Sequence, residues 1–177
     1  MERINNDSKD TNPSEINVIF NSPFEIGLRA LIILSVSYPL KLDIQRLIYL
    51  DYLVLHTEDI GLQDAPKSIH PATPHRSGEI VVRRKAMQAG LDMMYRKTLL
   101  EMVYDEDGIS YVASELTVAF LNLIESDYCR LIHNNASWVS QMFSTYSSGE
   151  MKQYMDDKLG TWGGEFIYET LVRSERD

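Results

Sequence analysis

Residues 70–108 constrain the fold of this chain most strongly, because they predict a helix followed at once by a β-hairpin. A polar stretch punctuated by prolines leads to Ser77, a suitable helix N-cap, with Glu79 favourable in the first turn. After the helix, apolar and polar residues alternate around Asp107-Gly108, a strong signal for a tight hairpin turn. A helix followed by a hairpin is the core of a winged-helix unit, which binds either DNA or another protein.

Helical patterns flank this unit on both sides. Ser22-Pro23 begins a helix that is apolar almost all round, and Asp43 is a suitable cap for a second helix of similar character. Ser114 caps a helix after the hairpin, and more helical pattern follows from residue 127. We expect the helix after the hairpin to turn four residues inward: Leu116, Phe120, Leu123 and Ile124. The glycines of residues 160–164 predict a turn that places Trp162.

We therefore predict a mainly α fold with a small β-hairpin, a winged-helix-like domain with additional C-terminal helices. Residues 22–177 form this single domain, and the polar, Asn-rich residues 1–21 form a flexible N-terminal segment. The first residues have no apolar run typical of a secretory signal, and no apolar stretch approaches the roughly 20 residues that span a bilayer. With one cysteine, Cys129, the chain fits a reducing compartment, so we expect a cytoplasmic protein that makes no membrane contact.

The charge distribution is uneven. The net charge is −9, which opposes binding to the phosphate backbone of DNA. Residues 80–97 carry five basic residues against one acid, so this segment is +4 and the remainder is −13. A helical wheel places Arg84 within the apolar sector, Arg83 at its edge, and Lys85 and Arg96 on the opposite side. Since these cations do not form one stripe and the hairpin tip is acidic, we favour a protein-binding unit over a DNA reader.

The sequence contains no motif for catalysis, a cofactor or a metal. His70 and His75 lie five residues apart, but no carboxylate or cysteine at a short spacing supports a metal site. The acids at residues 105–107 lack the spaced oxygen pattern of an EF-hand. Cys129 has no neighbour that would activate its thiol. A small hydrolase that uses His75 with an unseen partner residue is the weakest alternative.

A resemblance to a known family rests on a string of motifs. These are the His-Pro loop at residue 70, Arg76-Ser77-Gly78-Glu79, the Arg83-Arg84 pair, Asp105-Glu106-Asp107-Gly108, and Glu125-Ser126 before Tyr128. Upstream, Leu50-Asp51-Tyr52 with a following His is similar too. Over about residues 22–170 the chain resembles the middle component of bacterial three-component ABC-ATPase (ABC-3C) systems. That group includes the small subunit of the Lamassu anti-phage and anti-plasmid systems. Asp127 stands where the family often has a proline, and it still permits a helix to begin.

The resemblance implies a non-catalytic accessory subunit in a bacterial defence complex. Its partners would be an SMC-like or ABC ATPase and an effector, often a nuclease, and it would meet DNA only indirectly or within the assembled complex. No cofactor is implied. The alternative is a winged-helix transcriptional regulator that binds DNA through residues 80–97. The candidate partner-contact residues lie at the end of the proline-rich loop and on the following helix: His75, Arg76, Arg83, Arg84 and Lys85.

Overall fold

The computed structural model describes residues 22–71, 76–106 and 108–174, with side chains over residues 22–71, 83–106 and 108–161. The helices are α1 (Pro23–Ser37), α2 (Ile44–Leu55), α3 (Arg76–Arg96), α4 (Glu115–Leu121), α5 (Asp127–Met142) and α6 (Ser148–Ser174). The strands are β1 (Leu42–Asp43), β2 (Leu100–Asp105) and β3 (Gly108–Ala113), and a single 3-10 turn covers Thr57–Ile60. The prediction of a mainly helical fold with a small hairpin is confirmed. The predicted flexible segment 1–21 lies outside the described residues.

Three predicted helix starts are confirmed by their capping hydrogen bonds. The Ser22 hydroxyl accepts from the backbone N–H of Glu25 at 3.3 Å, and Pro23 occupies the first helical position. The Asp43 carboxylate accepts from the N–H of Arg46 at 2.8 Å, and the Ser114 hydroxyl accepts from that of Leu116 at 3.2 Å. Each cap satisfies an N–H group that the helix itself leaves without a partner.

The sheet has three antiparallel strands in the order β1-β3-β2. β2 and β3 form the predicted hairpin, with Leu100 opposite Ala113 and Asp105 opposite Gly108. Gly108 has a φ of 118°, in a region that favours glycine. β1 pairs with β3 on the other side, with Leu42 opposite Tyr111. The chain therefore runs helix, strand, helix, helix, strand, strand from α1 to β3.

The core lies where α1 and α2 meet the other helices and the inner face of the sheet. α1 packs against α3 and α5, and α2 packs against the same two helices. Two glycines let α1 and α3 approach closely: a Cβ at Gly90 would lie 2.5 Å from the carbonyl oxygen of Pro23 and 2.7 Å from the backbone nitrogen of Gly27. Only hydrogen atoms fit at that crossing, so the glycine pair sets the distance between the two helices.

Two predictions about the C-terminal half are wrong. Residues 160–164 do not form a turn, because α6 continues through them to Ser174. A helical glycine costs only about 0.5–1 kcal/mol, and α6 also packs against α2 and α3. Leu116 and Leu123 do not face inward, since their side chains are 53 % and 81 % exposed. The buried residue of α4 is instead Thr117, whose hydroxyl donates to the carbonyl of Leu99 at 2.5 Å.

Candidate functional site

A buried cluster of charges joins the first three helices. The Asp51 carboxylate on α2 accepts two hydrogen bonds from Arg29 on α1, from Nε at 2.6 Å and from Nη2 at 3.1 Å. Arg83 on α3 donates to the same carboxylate from Nη1 at 2.6 Å. All three residues are buried, with at most 4 % of any of them exposed. One carboxylate therefore holds two guanidinium groups, and this fixes α1, α2 and α3 relative to one another.

The charges of this cluster are mutually stabilised. Burial disfavours the Asp51 carboxylate, but attraction to Arg29 and Arg83 outweighs burial, so the pKa of Asp51 is lowered. Burial also disfavours the charge on Arg29, and attraction to Asp51 outweighs it, so the pKa of Arg29 is raised. Buried pairs of this kind are costly to break, because the remaining ion keeps its desolvation penalty without its partner.

The cluster extends toward the surface through Glu25 and Tyr128. Glu25 accepts from Arg29 Nη1 at 3.2 Å and from the Tyr128 hydroxyl at 2.9 Å. Partial burial raises the pKa of Glu25, against the opposing effects of Tyr128 and Arg29. Burial likewise raises the pKa of the Tyr128 hydroxyl. Through Tyr128 the network reaches α5, so four helices share one set of polar contacts.

Sequence reasoning missed Arg29 and included Asp51 only as part of a family motif, with no role or partner, although a signal for both was present. Each is a charged residue in the middle of a helix that is apolar almost all round. A charge at such a position must be paired, because an isolated buried ion is prohibitively costly. The pairing itself was not predictable, since Asp51 lies 22 residues from Arg29 and 32 from Arg83.

The structure reverses the predicted placement of the two adjacent arginines on α3. Arg83 points into the core and pairs with Asp51, whereas Arg84 is exposed and donates to the Gln45 side chain at 3.1 Å. Lys85 and Arg96 are exposed as well. The helical wheel misplaced the two arginines because it centred the apolar side of the helix too near Arg84. The side that is actually buried contains Met87, Leu91 and Met94.

Three exposed cations therefore share one surface, which we call the α3 face: Arg84, Lys85 and Arg96. Positions 84, 85 and 96 fall within an arc of about 120° at 100° per residue. Asp92 lies within this arc and accepts from the Gln88 amide at 2.9 Å. Lys97, just beyond the helix, is also exposed. The prediction that the basic residues of this helix are scattered is thus wrong for the three exposed ones. Only Arg83 lies elsewhere, in the core.

For the two other predicted contact residues, the structure describes only the backbone of Arg76. His75 lies outside the described residues, and Arg76 is the first residue of α3, with its side chain outside the described part. Hydrogen bonds fix the loop that precedes them, which the structure describes as far as residue 71. The Asn135 side chain donates to the carbonyls of Val54 and Lys67, at 3.0 Å and 3.2 Å, and the Thr57 hydroxyl donates to Pro66 at 2.5 Å.

Among the described residues, no three His, Cys, Asp or Glu side chains lie close enough together to hold a metal ion. Cys129 is a free thiol on α5, half-buried in a cleft beside His133. Within the described part of the chain, no helix is both long and apolar enough to cross a membrane. The arrangement can hold helices together and present charged and apolar surfaces.

A comparison with known protein families gives a match over most of the chain. The family model described as "ABC-three component (ABC-3C) system Middle Component 2" matches residues 19–165. The match includes α1 to α5, the whole sheet and the first part of α6. No curated protein sequence and no solved structure matches the chain. Because the family match spans most of the 177 residues, the chain belongs to the Middle Component 2 family of ABC three-component systems.

Proposed function

We propose that this chain is a non-catalytic accessory subunit that connects an SMC-like ABC ATPase to an effector, often a nuclease, in a bacterial anti-phage or anti-plasmid complex of the Lamassu type. The observation that carries the proposal is the match of residues 19–165 to a component of ABC three-component systems. A component of such a system works beside the other subunits of that system.

We further propose that the fold is a winged helix. The order helix, strand, helix, helix, strand, strand and the sheet order β1-β3-β2 support this assignment. In a winged helix, α3 occupies the position of the recognition helix and the β2–β3 hairpin that of the wing. Here the exposed side of that helix carries the α3 face, while the tip of the hairpin includes the acids Asp105 and Glu106.

The α3 face supplies the proposed partner contacts, with Arg84 and Lys85 as their centre. An arginine can hold a carboxylate through two parallel hydrogen bonds, so an acidic surface of a partner subunit fits this face. His75 and Arg76 precede it in the chain and belong to the same proposal. Burial leaves the Arg83 guanidinium little surface to offer a partner, and its bond to Asp51 orients α3 instead.

Co-expression with the other components of the same system tests this function. The wild-type chain should co-purify with the ATPase, and Arg84→Glu with Lys85→Glu should weaken that association by about tenfold or more without lowering the melting temperature. Lys41→Glu with Lys67→Glu, which makes the same change in net charge at exposed positions outside α3, is the matched control. If the wild-type chain elutes alone in the presence of every other component, the proposed function is refuted.

A second candidate function is sequence-specific DNA binding by the isolated chain, and the shared exposure of Arg84, Lys85 and Arg96 favours it. The acidic hairpin tip and the net charge of −9 weigh against it. A gel-shift assay at low salt decides between the two functions. A shift that disappears in the Arg84→Glu, Lys85→Glu variant would support DNA binding, and no shift would exclude it.

A further inference from the structure

The short helix α4 packs Phe120 and Leu121 against the core but leaves two other aliphatic side chains exposed. Its buried residue is Thr117, while Leu116 and Val118 are 53 % and 55 % exposed. A surface helix normally turns such aliphatic side chains toward the core. An exposed group of large aliphatic residues commonly marks an interaction site.

Hydrogen bonds, rather than apolar burial alone, hold α4 in this orientation. The Thr117 hydroxyl donates to the Leu99 carbonyl at 2.5 Å, and the Ser114 hydroxyl donates to the Thr98 carbonyl at 2.8 Å. Both bonds connect the start of α4 to the turn between α3 and β2. The exposed aliphatic residues therefore sit on a part of the chain that is anchored to the domain.

A groove lies beside these residues. Its volume is about 490 Å³, within the range of about 300–1,000 Å³ that is typical of binding clefts. Tyr38 and Pro39 line one side, at the end of α1, and Val118 lines the other. The Tyr38 side chain is 66 % exposed. We call this surface the α1–α4 groove, and its lining includes Tyr38, Pro39, Glu101, Val112, Glu115 and Val118.

The groove is negatively charged. Glu101 and Glu115 line it, and no cation among the described residues lies within ion-pair distance of either carboxylate. α1 ends at the groove with no basic residue in its last turn, so the negative end of the helix dipole is not compensated there. Glu115 lies in the first turn of α4, where the helix dipole favours a negative charge, but it has no cationic side-chain partner among the described residues. Apolar side chains beside such carboxylates are complementary to apolar side chains flanked by lysine or arginine.

We propose that the α1–α4 groove binds a basic, amphipathic segment of a partner subunit, in which one or two apolar side chains are flanked by lysine or arginine. The inference rests on the proposed function and adds a second docking surface to it. The α3 face is basic and meets an acidic surface, whereas the α1–α4 groove is acidic and apolar and meets a basic one. Two surfaces of opposite charge allow one small subunit to hold two different partners without competition between them.

The test is co-purification and titration of the full chain with the purified subunits of its own ABC three-component system. One variant, Glu101→Lys with Glu115→Lys, reverses the charge of the groove. A second variant, Val118→Gln, replaces an exposed apolar side chain by glutamine, which has a good helix propensity. The matched control is Glu106→Lys with Asp157→Lys, which makes the same change in net charge at exposed positions away from the groove. Melting temperatures are measured for all four proteins.

We expect both groove variants to bind one partner about tenfold more weakly and to retain the other, with melting temperatures close to that of the control. The wild-type interaction should also weaken as salt is raised. Equal binding by the wild type and both groove variants would overturn the inference while leaving the proposed function standing. Loss of every partner together with a large fall in melting temperature would also overturn it, because the residues would then be structural. A wild-type chain that binds no subunit would overturn both proposals.

Discussion

The close crossing of α1 and α3 makes a sharp prediction for Gly90→Ala. The added methyl carbon would lie 2.5 Å from the Pro23 carbonyl oxygen, 2.7 Å from Gly27 N and 2.9 Å from Gly27 Cα. Carbon atoms prefer separations of about 3.5–4.0 Å. All three obstructing atoms belong to the backbone of α1, so no side-chain rotation can relieve the overlap. The two helices would have to move apart by roughly 1 Å at this point.

The expected magnitude follows from two opposing effects. Overpacking a well-packed interior typically costs about 1–3 kcal/mol, and backbone obstruction favours the upper end of that range. Alanine is better than glycine within a helix by about 0.5–1 kcal/mol. We therefore expect Gly90→Ala to lower the free energy of unfolding by about 2 kcal/mol. For a chain of this size, that corresponds to a fall in melting temperature of about 4–8 °C.

Gly160→Ala is the matched control, because Gly160 is a helical glycine at which an added Cβ would meet nothing within 4 Å. It should raise the free energy of unfolding by about 0.5–1 kcal/mol through helix propensity alone. Gly27→Ala should lie between the two, since one of its three nearest atoms is the flexible Met94 Cε at 3.0 Å. Urea denaturation followed by circular dichroism measures all three variants. A Gly90→Ala protein as stable as the wild type would refute the packing argument.

Three further predictions concern single side chains. Asp51→Asn should lower the free energy of unfolding by about 3–5 kcal/mol at neutral pH, because two buried guanidinium groups lose the carboxylate that they share, although Arg29 keeps its ion pair with Glu25. The pKa of Asp51 is lowered in the folded state, so its contribution to stability is full above about pH 4 and is lost as the pH falls further. Urea denaturation between about pH 7 and pH 3 should show less acid dependence for Asp51→Asn, and identical curves would contradict this. Thr117→Val should cost about 1–3 kcal/mol in thermal denaturation, since a buried carbonyl loses its donor; a neutral effect would rule out the hydrogen bond as the anchor of α4. Thr98 has a φ of 57° and is exposed, so Thr98→Gly should raise the urea midpoint by an amount equivalent to about 0.5–1 kcal/mol, and a lower midpoint would show that the backbone is not strained there.

Local signals in the sequence were sufficient for much of the secondary structure. Ser22, Asp43 and Ser114 cap the helices that their patterns predicted, because a capping side chain acts on backbone groups two or three residues away. The β2–β3 hairpin was predictable for the same reason, since its turn and its alternation are local. β1 was missed because a strand of two residues has no periodicity, and only its pairing with β3 defines it.

Tertiary packing decided which side of a helix faces inward. Arg83 rather than Arg84 turns into the core because Asp51, on a different helix, offers a buried carboxylate there. Leu116 stays exposed because Thr117 is held by a carbonyl 18 residues earlier in the chain. The periodicity of α3 does not reveal Asp51 as the partner of Arg83, and the periodicity of α4 does not reveal the Leu99 carbonyl as the partner of Thr117. The glycines of residues 160–164 remain helical despite their poor propensity, within a helix whose earlier residues Met151 and Met155 are buried in the core.

By itself, the sequence determined the class of the fold, its capped helices, the hairpin and, through the matched motifs, the family. These properties depend on residues that are neighbours in the chain or that stand in a fixed order along it. The tertiary structure alone decided the Arg29–Asp51–Arg83 cluster, the single basic face of α3 and the acidic groove beside α4. Each of these depends on distances between residues far apart in the chain, and such distances exist only once the helices have packed.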